Sequence, residues 1–210
     1  MAVPGSLPQR IYLLAYDPAK GRVRMGSRLG AMLRAAALAG LYLDGHLVDE
    51  RGRAAVGARK PTGDPVLDGL LDEIARARPH RWYLWIGRRQ NATMRAVREQ
   101  LDAGGWVRLE PRRILGLFPT TRVTVRDPRV RKELLGRVGH ALKDPVDRVD
   151  PADAALVAVV AAADLKLVLN RSTRRASKRR IEELTRHCGP IGPALRTWIE
   201  LAVAGETASA

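Results

Sequence analysis

Residues 150–164 read DPADAALVAVVAAAD, and this stretch decides the fold class. Asp150-Pro151 is a helix start, because an acidic cap satisfies free N–H groups and proline at the first helical position forfeits no hydrogen bond. From Ala154 to Ala163 every residue is apolar, and the helix is expected to reach Leu169. A helix apolar on nearly all sides has no face to give to water, so it is expected at the centre of a helical domain. The same ten-residue run, closed by Asp153 and Asp164, is too short for a bilayer core, which needs about 20 residues.

Working outward, Leu7–Ala15 can open as a helix or a strand, and Asp17-Pro18-Ala19-Lys20-Gly21 is a turn. Leu29, Met32, Leu33, Ala36 and Ala37 recur at helical spacing, predicting a helix over Ser27–Ala39 that Gly40 ends. Leu41–Asp49 alternates around Asp44-Gly45, a dipeptide that favours a tight hairpin. Leu67, Leu70, Leu71 and Ile74 predict a helix over Val66–Ala77. Another is predicted over Ala92–Ala103, with Asn91 as cap and Gly104-Gly105 as stop. Trp106–Leu109, Ile114–Phe118 and Val123–Val125 read as short strands. Helices are then predicted from Asp127-Pro128 to Leu142, over Arg174–Arg186 and over Ile191–Ala204.

The expected architecture is mostly α, a single globular helical domain around a buried central helix, with small β-hairpins. Residues 1–8 form a short N-terminal tail, 9–204 the domain and 205–210 a frayed C-terminal tail. Met1–Pro8 lacks the apolar run of a signal peptide, and the lone Cys188 excludes an intrachain disulfide or a zinc site on paired cysteines. The expected location is cytoplasmic.

The 210 residues carry 37 Lys+Arg against 22 Asp+Glu, a net charge of +15. Thirty-one of the cations are arginine. The guanidinium fork binds phosphate oxygens in a bidentate way, although GC-rich coding also raises Arg and Ala usage. The charge is concentrated: Arg76–Arg137 carries a net +11 and Arg171–Arg186 a net +5. Two basic zones on a near-neutral body point to binding faces for an anionic partner. Within the first, Arg95 and Arg98 lie three apart on one helix face, and Arg88-Arg89 precede that helix's N-terminus, where free N–H groups and the dipole favour phosphate.

Catalytic patterns are thin. His46, His80, His140 and His187 stand at no metal-ligand spacing, and no phosphate-binding Gly-rich motif followed by Lys-Ser/Thr occurs. His187-Cys188 are adjacent, yet a thiolate usually meets its base through the fold. Asp144, Asp147, Asp150 and Asp153 recur every three residues across Pro145 and Pro151, a pattern of capping and turns. No enzyme activity, metal or cofactor is expected.

The chain order resembles the Golgi phosphoprotein 3 family. The resemblance runs from Leu13-Leu14-Ala15-Tyr16-Asp17-Pro18-Ala19-Lys20-Gly21 through the helix Leu29–Ala39 with Gly40 to Thr62-Gly63-Asp64-Pro65-Val66-Leu67-Asp68, its most specific motif. It continues in Met94-Arg95-Ala96-Val97-Arg98-Glu99-Gln100-Leu101, the hairpin Ile114–Val125 with Pro128, the central helix Leu156–Leu169, Ala176-Ser177-Lys178-Arg179 and Trp198. It spans residues 9–204, and the Arg- and Ala-rich composition is that of a bacterial member, for which a Golgi location does not follow.

The resemblance implies a mostly helical peripheral membrane protein that binds phosphatidylinositol 4-phosphate. In eukaryotic members a tryptophan and three arginines make the head-group pocket, and two of those arginines map onto Arg95 and Arg98. The chain departs from the pattern in the other half: no aromatic stands between Tyr16 and Tyr42, Lys20 falls where the tryptophan belongs, and the third arginine falls on Leu29. Arg28, Arg24 or Lys20 can supply the missing cation, and Arg88 completes the head-group candidates. The family's hairpin is implicated in self-association and bilayer contact, roles that here fall to Leu115, Leu117 and Phe118, flanked by Arg112, Arg113 and Arg122. The expected partners are an anionic phospholipid surface, a second copy of the chain through the hairpin, and adaptor clients that the sequence does not identify. The rival expectation is a winged-helix-like nucleic-acid binder, in which helix 92–103 and the basic hairpin 106–125 play recognition helix and wing, without a clear helix-turn-helix before them.

Overall fold

The computed structural model describes residues 2–23, 28–114 and 118–208. The chain opens with helix α1 (Leu7–Ala15), a minimal hairpin of β1 (Tyr16–Asp17) and β2 (Arg22–Val23), and helix α2 (Arg28–Leu43). Strands β3 (Leu47–Glu50) and β4 (Arg53–Val56) follow, then α3 (Pro65–Ala75), β5 (His80–Arg81), α4 (Trp82–Gly87) and α5 (Gln90–Ala103). A long hairpin, β6 (Val107–Ile114) and β7 (Phe118–Val125), leads to α6 (Arg129–Lys143), α7 (Pro151–Ala162), α8 (Arg171–Ala176), α9 (Lys178–His187) and α10 (Ile191–Ala208). All the strand pairs are antiparallel, with β4 between β3 and β5. The architecture is mostly α with small β-hairpins, as the sequence predicts.

Two helices share the centre. The residues of α7 from Asp153 to Ala161 are buried, as expected of the alanine- and valine-rich run. Helix α2 is buried without interruption from Leu29 to Leu41, and α1, α3, α4, α5, α7 and α10 all pack on it. The small side chains of Ala31, Ala35, Ala36, Ala37, Ala39, Gly30 and Gly40 permit this close crowding. One continuous apolar core results, with Tyr12 and Trp85 among its largest fully buried side chains.

Several boundaries differ from expectation, each for a local reason. Helix α2 passes through Gly40 because Leu41 behind it is buried, and it ends at Gly45, which takes φ 73°. Asp44-Gly45 is therefore a helix end, and the hairpin turns instead at Arg51-Gly52, both with positive φ (53° and 80°), between the paired Glu50 and Arg53. Two-residue turns of this hand match the twist of the flanking strands. Helix α7 stops at Ala162, well short of Leu169: Asp164 goes left-handed at φ 54° while its N–H and that of Leu165 bond back to Ala161 and Val160. The predicted helix over Arg174–Arg186 is two helices, α8 and α9, with Asn170 capping the first through the Thr173 N–H. The predicted short strands are one hairpin paired from Val107–Val125 to Ile114–Phe118. The undecided segment Leu7–Ala15 is a helix, and α10 extends past Gly205 to Ala208.

The Thr62-Gly63-Asp64 motif is a capping device. The Asp64 carboxylate accepts from the N–H groups of Val66 and Leu67, opening α3, while Thr62 donates both its N–H and its hydroxyl to Asp68 at 2.8 Å. Gln100 on α5 also donates to Asp64 at 2.8 Å, so the same carboxylate ties α3 to α5.

Candidate functional site

Helix α5 is the element on which both predicted arginines stand. Its Thr93, Val97 and Leu101 are buried, leaving Arg95 exposed and Arg98 half-buried on the flank. The helix is held on several sides. Gln100 joins α1 through Gln9 at 3.3 Å, and Asp102 accepts the Leu109 N–H of β6 at 3.2 Å. At its first turn it meets α2 at Gly30, where an added Cβ would lie 2.6 Å from Gln90 Cβ and 3.2 Å from that residue's Cα. Only a glycine permits the two helix starts to approach so closely.

That approach joins the first turn of α2, which opens with the exposed Arg28, to the first turn of α5; Arg28 itself stands two positions before Gly30, on another side of α2 from the contact. The N-terminus of a 16-residue helix presents partial positive charge, which adds to the side-chain cations. Arg98 reaches the end of α1. The Tyr12 phenol there is pushed up to about 12, chiefly by burial, with the Arg98 cation pulling it down and Tyr16 raising it further. Tyr16 begins the β1–β2 hairpin, whose turn carries the exposed Lys20; Asp17 accepts the N–H groups of Ala19 and Lys20. The hairpin β6–β7 packs beside it, since β2 contacts β7 and β6 contacts α5.

Arg88 is set apart from this group. Its seven-residue spacing from Arg95 would align the two only on a continuous helix, and Arg89 breaks the helix with a left-handed φ of 45°. The Arg88 guanidinium instead lies 4.7 Å from the centroid of Trp85. For the same reason Asn91 is inside α5 rather than at its cap. The six-residue α4 precedes α5, where no such helix was expected.

Arg24, Leu115 and Leu117 lie outside the described residues. Phe118 opens β7 opposite Ile114, while Arg112 and Arg113 face Thr120 and Pro119 across the ladder and Arg122 faces Glu110.

Sequence reasoning missed the residues that position the site, Gly30, Gln90 and Gln100. An isolated glycine inside a helical pattern was the available signal for Gly30, because it marks close backbone approach. It also missed Arg34, a 3% exposed cation on α2 that donates to the Trp85 carbonyl and pairs with Glu73 at 3.1 Å. Burial pulls the Arg34 pKa down, Glu73 opposes this, and Arg88 and Arg89 add to the lowering.

The chemistry of the remaining candidates is structural. Cys188 is 2% exposed and burial pushes its thiol up to about 12, while His187 is exposed and its Nδ1 lies 2.9 Å from the Glu183 carbonyl. In the aspartate series, Asp150 caps α7 and Asp153 sits between Arg137 (3.4 Å) and Arg10 (3.7 Å). Among the described residues no cluster of three or more His, Cys, Asp or Glu is placed to hold a metal, and no helix is long and apolar enough to cross a membrane.

The family model of Golgi phosphoprotein 3 matches residues 7–202, nearly the whole chain. No curated protein matches it.

Proposed function

The chain belongs to the Golgi phosphoprotein 3 family, and on that premise we propose that it is a peripheral membrane adaptor without catalytic activity that binds anionic phosphoinositide head groups, of the phosphatidylinositol 4-phosphate type. Arg95 and Arg98 contact the head group. Arg28, Lys20 and Arg24 supply the cationic side that a tryptophan and a third arginine provide elsewhere in the family. The observation that supports this reading is the exposed Arg95 and half-buried Arg98 on one flank of α5, with Arg98 close enough to Tyr12 of α1 to bear on its phenol and the β1–β2 turn of Lys20 following directly on α1. Leu115, Leu117 and Phe118 meet the bilayer or a second copy of the chain.

Magnitudes describe a loose attachment. Each cation at an anionic leaflet contributes about 1 kcal/mol within a Debye length of roughly 8 Å. Five such residues give about 5 kcal/mol, a dissociation constant on the order of 0.1 mM, so specific head-group contacts must add to the surface term if binding is to be tight.

The test is co-sedimentation with vesicles of phosphatidylinositol 4-phosphate, phosphatidylinositol or phosphatidylserine at matched charge, across a salt series. Preference for the 4-phosphate that Arg95→Ala/Arg98→Ala abolishes is the expected result. Equal binding to all three that fades with salt reduces the site to a basic surface. Absence of vesicle binding, with salt-dependent binding to duplex DNA, would transfer α5 and the hairpin to a nucleic-acid role.

A further inference from the structure

A second basic site stands on residues that the first does not use. A cavity of about 520 Å³ opens between α7, α8, α9 and α10, in the size range of small-molecule sites. Five cations line it: Arg171, Arg174 and Arg175 from α8, Lys178 from α9 and Arg196 from α10. Glu182 is the carboxylate in its lining, and Ala161 and Ile181, both buried, complete it with apolar surface.

The charge is not balanced from within. Arg174 donates to Asp164 at 2.6 Å, whereas Arg171, Arg175, Lys178 and Arg196 form no ion pair among the described residues. Counting Glu182 and Asp164 against the five cations leaves an excess of three positive charges around one concavity. Glu183, also on α9, does not relieve it, because it pairs with Arg180 at 3.1 Å, and Arg180 itself is a structural clamp donating to the carbonyls of Ala141 and Asp144. Basic residues scattered for solubility would spread over separate faces. Here they converge from three helices on a wall whose carboxylates are too few to balance them, where like charges repel one another until an anion enters.

We propose that this cavity binds a small ligand carrying two or more phosphate groups. A single monovalent anion leaves most of the excess charge in place, while two phosphoryl groups neutralise it, and arginine forks match their oxygens. The same chemistry is offered by a free polyphosphate ester and by a phosphorylated lipid head group. The site shares no residue with the Arg95–Arg98 cluster: its lining comes from α7, α8, α9 and α10, and none of it from α5.

The probe is inorganic tripolyphosphate, titrated calorimetrically into the full chain at fixed salt. Four proteins are compared: wild type, Arg171→Ala/Arg175→Ala/Arg196→Ala, Arg95→Ala/Arg98→Ala, and an exposed control triple, Arg59→Ala/Arg78→Ala/Arg129→Ala. Removal of a surface cation weakens such binding about fivefold, so the cavity triple is expected to lose on the order of 100-fold. The Arg95/Arg98 variant is expected to keep the site, so its behaviour separates this inference from the membrane reading. All substituted cavity side chains are exposed, and circular dichroism checks that the fold persists. Wild-type affinity in the cavity triple, or an equal loss in the control triple, overturns the proposal. A vesicle arm identifies the source: loss of binding to phosphatidylinositol 4-phosphate vesicles in the cavity triple assigns a lipid head group, and retained vesicle binding with lost tripolyphosphate binding assigns a soluble ligand.

Discussion

Replacing Gly30 by alanine separates the packing argument from ordinary helix propensity. On propensity alone the change is favourable, by about 1 kcal/mol, because alanine restricts the unfolded chain and suits a helix interior. The neighbour decides otherwise. The new Cβ meets Gln90 Cβ at 2.6 Å and the Gln90 Cα and carbonyl carbon at 3.2 Å. Carbon atoms prefer about 3.5–4.0 Å, so α5 must retreat by roughly 1 Å, and the atoms in the way include backbone that cannot rotate aside. Overpacking of this kind costs about 1–3 kcal/mol, giving a net loss of up to about 2 kcal/mol. In a chain of 210 residues that lowers Tm by about 2–4 °C per kcal/mol. The same retreat shifts α5, which carries Arg95 and Arg98, on its seat against α2, so vesicle binding is expected to weaken along with stability. Urea unfolding and vesicle co-sedimentation on the same preparation read both effects. A variant that is stabilised by about 1 kcal/mol and binds vesicles as wild type does would falsify the claim that this contact builds the site.

Three further perturbations test the scaffold. Asp64→Ala removes the cap of α3 and the Gln100 tie to α5, for an expected loss of about 2–3 kcal/mol in urea, while Asp64→Asn loses less than half of that; equal effects would contradict the capping role. Glu73→Ala leaves the Arg34 cation buried without its carboxylate and is expected to destabilise by about 3 kcal/mol, whereas Arg34→Met/Glu73→Leu recovers most of the loss; a single variant within 0.5 kcal/mol of wild type, on the order of a surface change, would refute this. Burial raises the Asp153 carboxyl above its ordinary value of 3.8, with Arg137 opposing. A raised folded-state pKa stabilises fully below the unfolded value and loses that contribution as pH rises through the folded value. Wild-type stability relative to Asp153→Asn is therefore expected to fall as pH rises from the ordinary value of 3.8 and then level off, and a rise over that window in denaturant midpoints counts against the assignment.

What the sequence alone determined was everything governed by neighbours along the chain. The apolar run Ala154–Ala163 can be satisfied only by burial, the Asp150-Pro151 and Asp64-Pro65 starts specify helix openings locally, and Leu67, Leu70, Leu71 and Ile74 mark a face by period alone. Arg95 and Arg98 were legible for the same reason, because three residues apart on a helix is a spatial statement. Where local signals compete, tertiary contacts decided. Gly40 reads as a stop, but burial of Leu41 carries α2 past it, and Asp44-Gly45 reads as a hairpin turn until Arg51-Gly52 takes that role. Arg88 shares a helical spacing with Arg95 that the left-handed Arg89 cancels. The seating of the arginine helix on α2 depends on Gly30 meeting Gln90, 60 positions along the chain, and the second cavity depends on Arg196 joining Arg171 and Arg175 from another helix. Such convergences have no sequence period, because they are set by how closely whole helices pack once their small residues allow it.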